Sequence, residues 1–239
     1  MRSAAAVAAA FVSIGAARAV EAPLARLGHD VVPVSQAIAL ELDPRQPEYT
    51  GSVEIVLDVR KPVRSFRFHA EAIDLLELTL TQPGSSSKPI RLAAKPSADG
   101  QVEVVPDREI PKGRHTLHIG FRNNFDTQAK GLYRLQVAGA WYAFTQFEAI
   151  EAREAFPCWD EPAFKIPYRV TLTVPVADAA LSNTAEESVV ENEGQRTTVF
   201  KATRPLPSYL LAVATGPFEF VPIPGTSIPA RVVTTKGQS

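Results

Sequence analysis

Two polar side chains lie two residues apart in the segment FTQFEAIEAREAFPCWDEPAFK (144–165), namely Gln146 and Glu148. If the T-Q-F-E stretch (145–148) is extended, both side chains emerge on the same face, because successive side chains of a strand alternate. An amide oxygen beside a carboxylate forms a compact acceptor site for a primary ammonium group, with charge-assisted hydrogen bonds to the carboxylate. Polar pairs at this spacing are also common on solvated strand faces, so the pair alone leaves both interpretations open.

Three more side chains of this segment belong to types that take part in catalysis. Asp160 and Glu161 would have to face one bond about 5 to 9 Å apart to act as glycosidase carboxylates, but adjacent side chains of an extended chain point apart. The D-E-P sequence instead favours a tight turn whose carboxylates accept backbone amides. Cys158 is the single cysteine and matches no known nucleophile signature, so we interpret it as a small buried hydrophobe. A catalytic role would need a histidine brought close by the fold.

The remaining residues offer little for metal or phosphate chemistry. The sequence contains no H-E-x-x-H, no glycine-rich phosphate loop, no EF-hand loop and no G-x-S-x-G elbow. His115 and His118 form H-T-L-H, but positions i and i+3 of a strand point to opposite faces, which is a poor arrangement for one metal. We therefore interpret both as solvated strand histidines, and we predict that this chain binds no metal and no cofactor.

Length and net charge indicate one domain with its own core and argue against binding of nucleic acid or an anionic membrane. A chain of 239 residues is long enough to bury a hydrophobic core as one large domain. Its single cysteine cannot form a disulfide within the chain, so the core must supply the stability. The formal charge of −1 gives no electrostatic case for binding nucleic acid or an anionic membrane.

The amino terminus predicts export. Residues 1–19, MRSAAAVAAAFVSIGAARA, combine a basic start, a short apolar run and an A-x-A-like end. The apolar run is too short to span a bilayer, so we expect a cleaved signal peptide rather than stable membrane insertion. The prediction is a signal peptide over 1–19, one domain over 20–239, and a periplasmic or secreted protein.

Period-two alternation dominates the rest of the chain. AIALELDP (37–44) and SVEIVLDV (52–59) place aliphatic side chains on one face, and turns such as PKGR and ENEGQ separate further segments of this kind. This pattern predicts an all-β domain of antiparallel sheets, packed as a sandwich or a curved saddle. Only residues 149–156 are rich in helix formers, and Pro157 must end a helix there, so we expect one or two helical turns.

The motif T-Q-F-E-x-x-x-A-R-x-A-F-P-C-W-D-E-P-A-F-K (145–165) resembles the signature of the zinc-dependent aminopeptidase N family, the gluzincin aminopeptidases. Further stretches resemble that family in the same order, over about residues 35 to 235. They are GSVEIVLDV (51–59), GLY (131–133), YRVTLTVP (168–175), LSN (181–183) and PLPSYLLAVATGPFE (205–219).

The resemblance implies a division of labour. In that family the amino-terminal domain is a saddle-shaped β-structure that caps a thermolysin-like catalytic domain, and the zinc motifs lie downstream of it. Gln146 and Glu148 match the two positions that line the pocket for the substrate amine, where the carboxylate position helps to hold the free α-ammonium of the peptide. Phe156, Trp159 and Phe164 are then expected to pack, while the two acids of D-E-P fix the turn.

The leading hypothesis is therefore the amino-terminal domain of a zinc aminopeptidase that releases amino-terminal residues from peptides. This chain would anchor the substrate amine, would be inactive alone, and would have the catalytic domain and the peptide amino terminus as partners. Zinc is expected in the catalytic domain. The alternative hypothesis is a non-enzymatic binding or scaffold module with the same fold. A carbohydrate-binding β-sandwich, which would require exposed aromatics on one face, is a third.

Overall fold

A computed structural model describes residues 26–84 and 88–238. The predicted signal peptide, residues 1–19, lies outside them. The described chain forms sixteen strands: β1 (Val31–Glu41), β2 (Glu48–Val59), β3 (Phe66–His69), β4 (Asp74–Thr81), β5 (Ile90–Pro96), β6 (Gln101–Pro106), β7 (Gly113–Asn124), β8 (Gly131–Val137), β9 (Ala140–Gln146), β10 (Tyr168–Pro175), β11 (Ala179–Ser182), β12 (Glu186–Asn192), β13 (Gln195–Phe200), β14 (Val213–Gly216), β15 (Glu219–Ile223) and β16 (Ala230–Thr234).

The strands form three sheets. The largest has ten strands in the order β12-β13-β10-β1-β2-β7-β4-β5-β6-β3, the second has the order β11-β14-β9-β8, and β15 pairs with β16. The all-β prediction is confirmed. One detail differs from a purely antiparallel arrangement, since β1 and β10 run parallel. Parallel neighbours need a long connection, and here strands β2 to β9 lie between them.

The alternation read from the sequence gives the core. The predicted inward residues of β2 (Val53, Ile55, Leu57 and Val59) are all buried. They face the same interior as Leu117 and Ile119 of β7, the strand that pairs with β2 along its full length. Period-two burial of this kind fixes the register, because a slip by one residue would turn the aliphatic side chains outward.

The predicted helical segment is present but short. It is a single 3₁₀ turn, Glu151–Glu154, and it ends before Pro157 as expected. A second 3₁₀ turn, Ser208–Leu210, follows Pro207 and was not predicted. Within the described residues no helix is both long and apolar enough to cross a bilayer.

Candidate functional site

Strand β9 places the two predicted acceptor residues. Gln146 is its last residue and pairs with Gly131 of the edge strand β8. The alternation continues past the end of the strand, because Gln146 and Glu148 are exposed while Phe147 between them is only 2% exposed. Phe147 packs edge-on against Phe156, with ring centroids 5.7 Å apart. The buried Phe147 ring thus keeps the side chains of Gln146 and Glu148 on the outer face. We call these two residues the acceptor pair.

A local contact brings the acceptor pair together. The backbone N–H of Glu148 donates to the side-chain oxygen of Gln146 over 3.4 Å, so the amide folds toward the following residue. The bond is long, and it leaves the second lone pair of that oxygen available. The Glu148–Ala149 peptide bond is cis, and the first 3₁₀ turn begins at Glu151.

The neighbouring carboxylates of this segment have local partners. Glu154 binds Lys130, with 2.5 Å between the ammonium nitrogen and the carboxylate oxygen. Glu151 accepts the backbone N–H of Ile150 at 2.9 Å. In contrast, no basic side chain among residues 26–84 and 88–238 forms an ion pair with Glu148. The acceptor pair therefore presents an exposed carboxylate that is free to meet a cation.

The F-P-C-W-D-E-P segment (156–162) has the opposite character. The Trp159 side chain is 1% exposed and lies against two rings of β3, Phe66 in parallel orientation at 6.3 Å and Phe68 at 6.1 Å between centroids. Cys158 exchanges backbone hydrogen bonds of 2.8 and 2.9 Å with His69. The segment is thus joined to the large sheet as an additional short pairing. The expectation that Phe156, Trp159 and Phe164 pack is confirmed by their burial.

A buried ion pair lies beneath this segment. The guanidinium of Arg153 and the carboxylate of Asp160 are 3.0 Å apart, with side chains only 3% and 2% exposed. Arg153 also donates to the backbone oxygens of Asp99 at 2.8 Å and Asp160 at 2.9 Å, and the Ser208 hydroxyl donates to the second carboxylate oxygen of Asp160. Removal of either charge would leave the other buried and uncompensated.

Glu161 fixes the chain on the other side of the turn. Its carboxylate accepts the backbone N–H of Leu27 at 2.6 Å and lies 3.6 Å from the guanidinium of Arg26. Both acids of D-E-P accept a backbone N–H, Asp160 from Arg153 and Glu161 from Leu27, as the turn interpretation predicts. Sequence reasoning missed their partners, because Ser208 and Leu27 lie far along the chain and only Arg153 belongs to the motif.

The fold does bring a histidine to Cys158, but without nucleophile chemistry. The His69 ring accepts the backbone N–H of Asp160 at its Nδ1 atom over 3.2 Å. Burial, and after it the Arg153 cation, lower the pKa of His69 from 6.5 to about 3, so the ring is neutral at pH 7. Burial, followed by the Asp160 carboxylate, raises the pKa of Cys158 well above its ordinary value. A buried thiol held neutral is a small hydrophobe, as predicted.

The described residues contain no group of three or more histidine, cysteine, aspartate or glutamate side chains that could hold a metal ion. His115 and His118 lie on opposite faces of β7, as expected. The interpretation of both as solvated was wrong for His115, which is fully buried beside Leu117 and is 2.9 Å from the backbone oxygen of Pro111. The ring occupies an inward position of a strand buried on that face. His118 stays 34% exposed, between the carboxylates of Glu54 and Glu77.

Comparison with known proteins places the chain in a family. Residues 32–210 match the family model described as the Peptidase M1 N-terminal domain. Aminopeptidase M1-A of Oryza sativa subsp. japonica is 35% identical over 209 residues, which are 80% of this chain and 23% of that protein. Puromycin-sensitive aminopeptidase of Caenorhabditis elegans is 31% identical, with 81% of this chain and 21% of that protein covered.

A shorter relative is covered more fully. Aminopeptidase N of Acetobacter pasteurianus is 28% identical over 218 residues, which are 89% of this chain and 60% of that protein. The chain thus spans about a quarter of the plant relative and less than two thirds of the bacterial one. In these proteins the matched domain is part of a longer aminopeptidase. The chain belongs to the peptidase M1 family, and its residues 32–210 form the N-terminal domain of that family.

Proposed function

We propose that this chain is the amino-terminal domain of an aminopeptidase and that the acceptor pair, Gln146 and Glu148, anchors the free α-ammonium of a peptide substrate. The observation that carries the proposal is the outward placement of both side chains at the end of β9, with a carboxylate that has no basic partner in the described chain. The resemblance of T-Q-F-E to the amine-pocket positions of the family supports the same assignment.

The chemistry of the pair suits an exopeptidase. A primary ammonium group donates three hydrogen bonds and carries a charge, which the Glu148 carboxylate complements. An acylated or internal amine offers neither, and it would leave the carboxylate desolvated without a partner once the site closes. Sites built around a polar partner reject ligands that lack it by roughly 10⁴-fold in favourable cases. The pair would thereby restrict cleavage to the first residue of a peptide.

Zinc, which an M1 aminopeptidase requires, does not fit the residues of this chain, because its described part offers no ligand set. We assign the metal to a catalytic domain, the expected partner of this one, and we expect the isolated chain to hydrolyse no peptide. The contribution of this domain is to bind and orient the substrate. Export through a signal peptide over residues 1–19 is part of the proposal, and recovery of a mature protein that begins at Val20 from an exporting host would test it.

The experiment is a kinetic comparison in an aminopeptidase that carries this domain together with its catalytic domain. Glu148→Ala removes the charged partner of the ammonium and leaves the metal site untouched. Loss of one partner of a desolvated charge pair costs about 2–5 kcal/mol, or roughly 30-fold to several-thousand-fold in kcat/KM. We expect most of the loss in KM, with some in kcat if the anchor also aligns the scissile bond.

Two matched variants sharpen the result. Glu148→Gln keeps the shape and an acceptor oxygen but removes the charge, so its activity should fall between the wild type and Glu148→Ala. Glu186→Ala removes an exposed carboxylate from β12 in the other sheet and should leave kcat/KM unchanged. A change below about threefold for Glu148→Ala, the range of ordinary surface substitutions, would contradict the anchor and favour a scaffold role for the domain.

A further inference from the structure

The sheet face that carries Gln146 also carries a cluster of aromatic side chains. Tyr142 and Phe144 precede Gln146 by four and two residues on β9, so all three share one face of that strand. On β8, Tyr133 pairs directly with Phe144 and therefore lies on the same face. Phe218, which follows β14, adds a ring to this group.

These rings are packed against one another. The Phe144 centroid lies 5.9 Å from that of Tyr133 and 5.7 Å from that of Phe218, the latter in an edge-on orientation. Tyr142 is fully buried and lies 5.2 Å from Phe218. Tyr133, Phe144 and Phe218 remain partly exposed, and we call these three the aromatic row.

Tyr142, the buried ring beneath the aromatic row, is fixed in place by its contacts. The Tyr142 hydroxyl accepts the backbone N–H of Lys236 at 2.8 Å, so the chain beyond β16 is fixed to it. The Tyr142 ring lies so close to Gly216 that a Cβ atom there would come within 2.3 Å of it, and φ at this glycine is +151°. The outer surface of the row is therefore an apolar surface on a fixed support.

Gln146 has a glycine as its neighbour on β8. Gly131 faces it across the strand pair, so no side chain of β8 stands next to the amide. A Cβ atom at Gly131 would meet the Glu154 side chain at 3.6 Å, so Glu154 lies against this glycine. Residues two apart on one strand face are separated by about 7 Å, so a ligand group bound at Gln146 can reach Phe144 with a side chain.

We infer that the aromatic row binds the side chain of the first residue of the substrate, and that the enzyme prefers peptides with a large apolar amino-terminal residue. The inference rests on the proposed function, since the ammonium must be held by the acceptor pair. An apolar surface next to a charged acceptor matches an amino-terminal leucine or phenylalanine, because the ammonium group and the side chain are both attached to the same Cα atom. An alanine side chain is too short to reach the rings.

The test uses the aminopeptidase that carries this domain and compares kcat/KM on phenylalanyl, leucyl and alanyl 4-nitroanilides. Phe144→Ala should reduce the phenylalanyl and leucyl values by about tenfold or more, within the range that apolar pockets contribute, and the alanyl value by less than about threefold. Trp141→Ala is the matched control, because Trp141 lies on the opposite face of β9 against Arg134. It should leave the ratio of phenylalanyl to alanyl activity unchanged.

The outcomes separate the two levels of the proposal. An equal loss on all three substrates for Phe144→Ala, while Glu148→Ala still lowers each of them, would overturn the aromatic row as a substrate subsite and indicate that it packs against the rest of the enzyme. Normal activity of Glu148→Ala would instead overturn the proposed function itself. Should Phe144→Ala fail to fold, Phe144→Leu keeps the position apolar. It should alter the ratio of phenylalanyl to leucyl activity, and an unchanged ratio would contradict the inference.

Discussion

The acceptor pair and the F-P-C-W-D-E-P segment lie within one continuous motif, yet their carboxylates differ in burial and in pairing. Glu148 is exposed and has no basic partner in the described chain, whereas Asp160 is buried and bound by Arg153, Ser208 and a backbone amide. Burial of a carboxylate is tolerable only when its hydrogen bonds and charge are satisfied internally. An exposed carboxylate is solvated by water and needs no internal partner, so its oxygen atoms stay available to accept hydrogen bonds from a ligand. Residues 156–162 thus support the structure, whereas the two acceptor residues are the ones that we propose bind the substrate.

The largest difference between the two regions should appear in stability. Trp159→Ala removes a fully packed side chain between two β3 rings, and such truncations cost about 3–5 kcal/mol. Glu148→Ala should change the free energy of unfolding by no more than about 0.5 kcal/mol. Urea denaturation of the 239-residue chain measures both. Equal stability of the two variants would remove the distinction between a supporting and a binding region.

The buried ion pair sharpens the same contrast. Asp160→Ala leaves the Arg153 guanidinium buried without its counter-charge, which should cost about 3–5 kcal/mol. The double variant Arg153→Met/Asp160→Ala removes the stranded charge and should be more stable than Asp160→Ala alone. If the double variant is instead less stable by the sum of the two single losses, the two charges do not interact as their geometry indicates.

The supporting region should also be sensitive to acid, through His69. The unfolded chain takes up a proton on this histidine near pH 6.5, whereas the folded chain does so only near its lowered pKa of about 3. Stability should therefore be unaffected by His69 above pH 6.5 and should fall below it, by up to about 1.4 kcal/mol per pH unit, or roughly 2–3 kcal/mol by pH 4.5.

His69→Asn provides the control for this acid effect, because its amide oxygen can accept the same Asp160 N–H without taking up a proton. Its free energy of unfolding should decline less steeply between pH 6.5 and 4.5 than that of the wild type. If the free energy of unfolding falls with the same slope in both proteins, protonation of His69 does not destabilise the folded state.

The smallest effect is expected for the neutral member of the acceptor pair. Gln146→Ala removes an uncharged hydrogen bond to the substrate, worth about 0.5–1.5 kcal/mol, or roughly 2- to 13-fold in kcat/KM. Stability should stay nearly constant, since the only intramolecular bond lost is the long one from the Glu148 N–H. Kinetics on a free-amine substrate would measure this. A loss larger than that of Glu148→Ala would reverse the roles that we assign to the two residues.

The sequence alone determined the features that depend on local periodicity. Alternating aliphatic residues predicted the strands and the inward face of β2, and Pro157 predicted that the helical segment ends before it. The same alternation placed Gln146 and Glu148 on one side, because their spacing equals the period of a strand. Family resemblance then added the function expected of that pair, which the geometry on its own does not identify.

Only the tertiary structure decided which distant groups meet. The parallel pairing of β1 with β10 and the contact of His69 with the Cys158 backbone leave no local trace in the sequence. The same holds for the Ser208 hydroxyl on Asp160 and for Phe218 beside Phe144. Periodicity records which side of its own strand a residue occupies, whereas a contact between distant residues depends on how the sheets pack, and packing is a property of the whole chain.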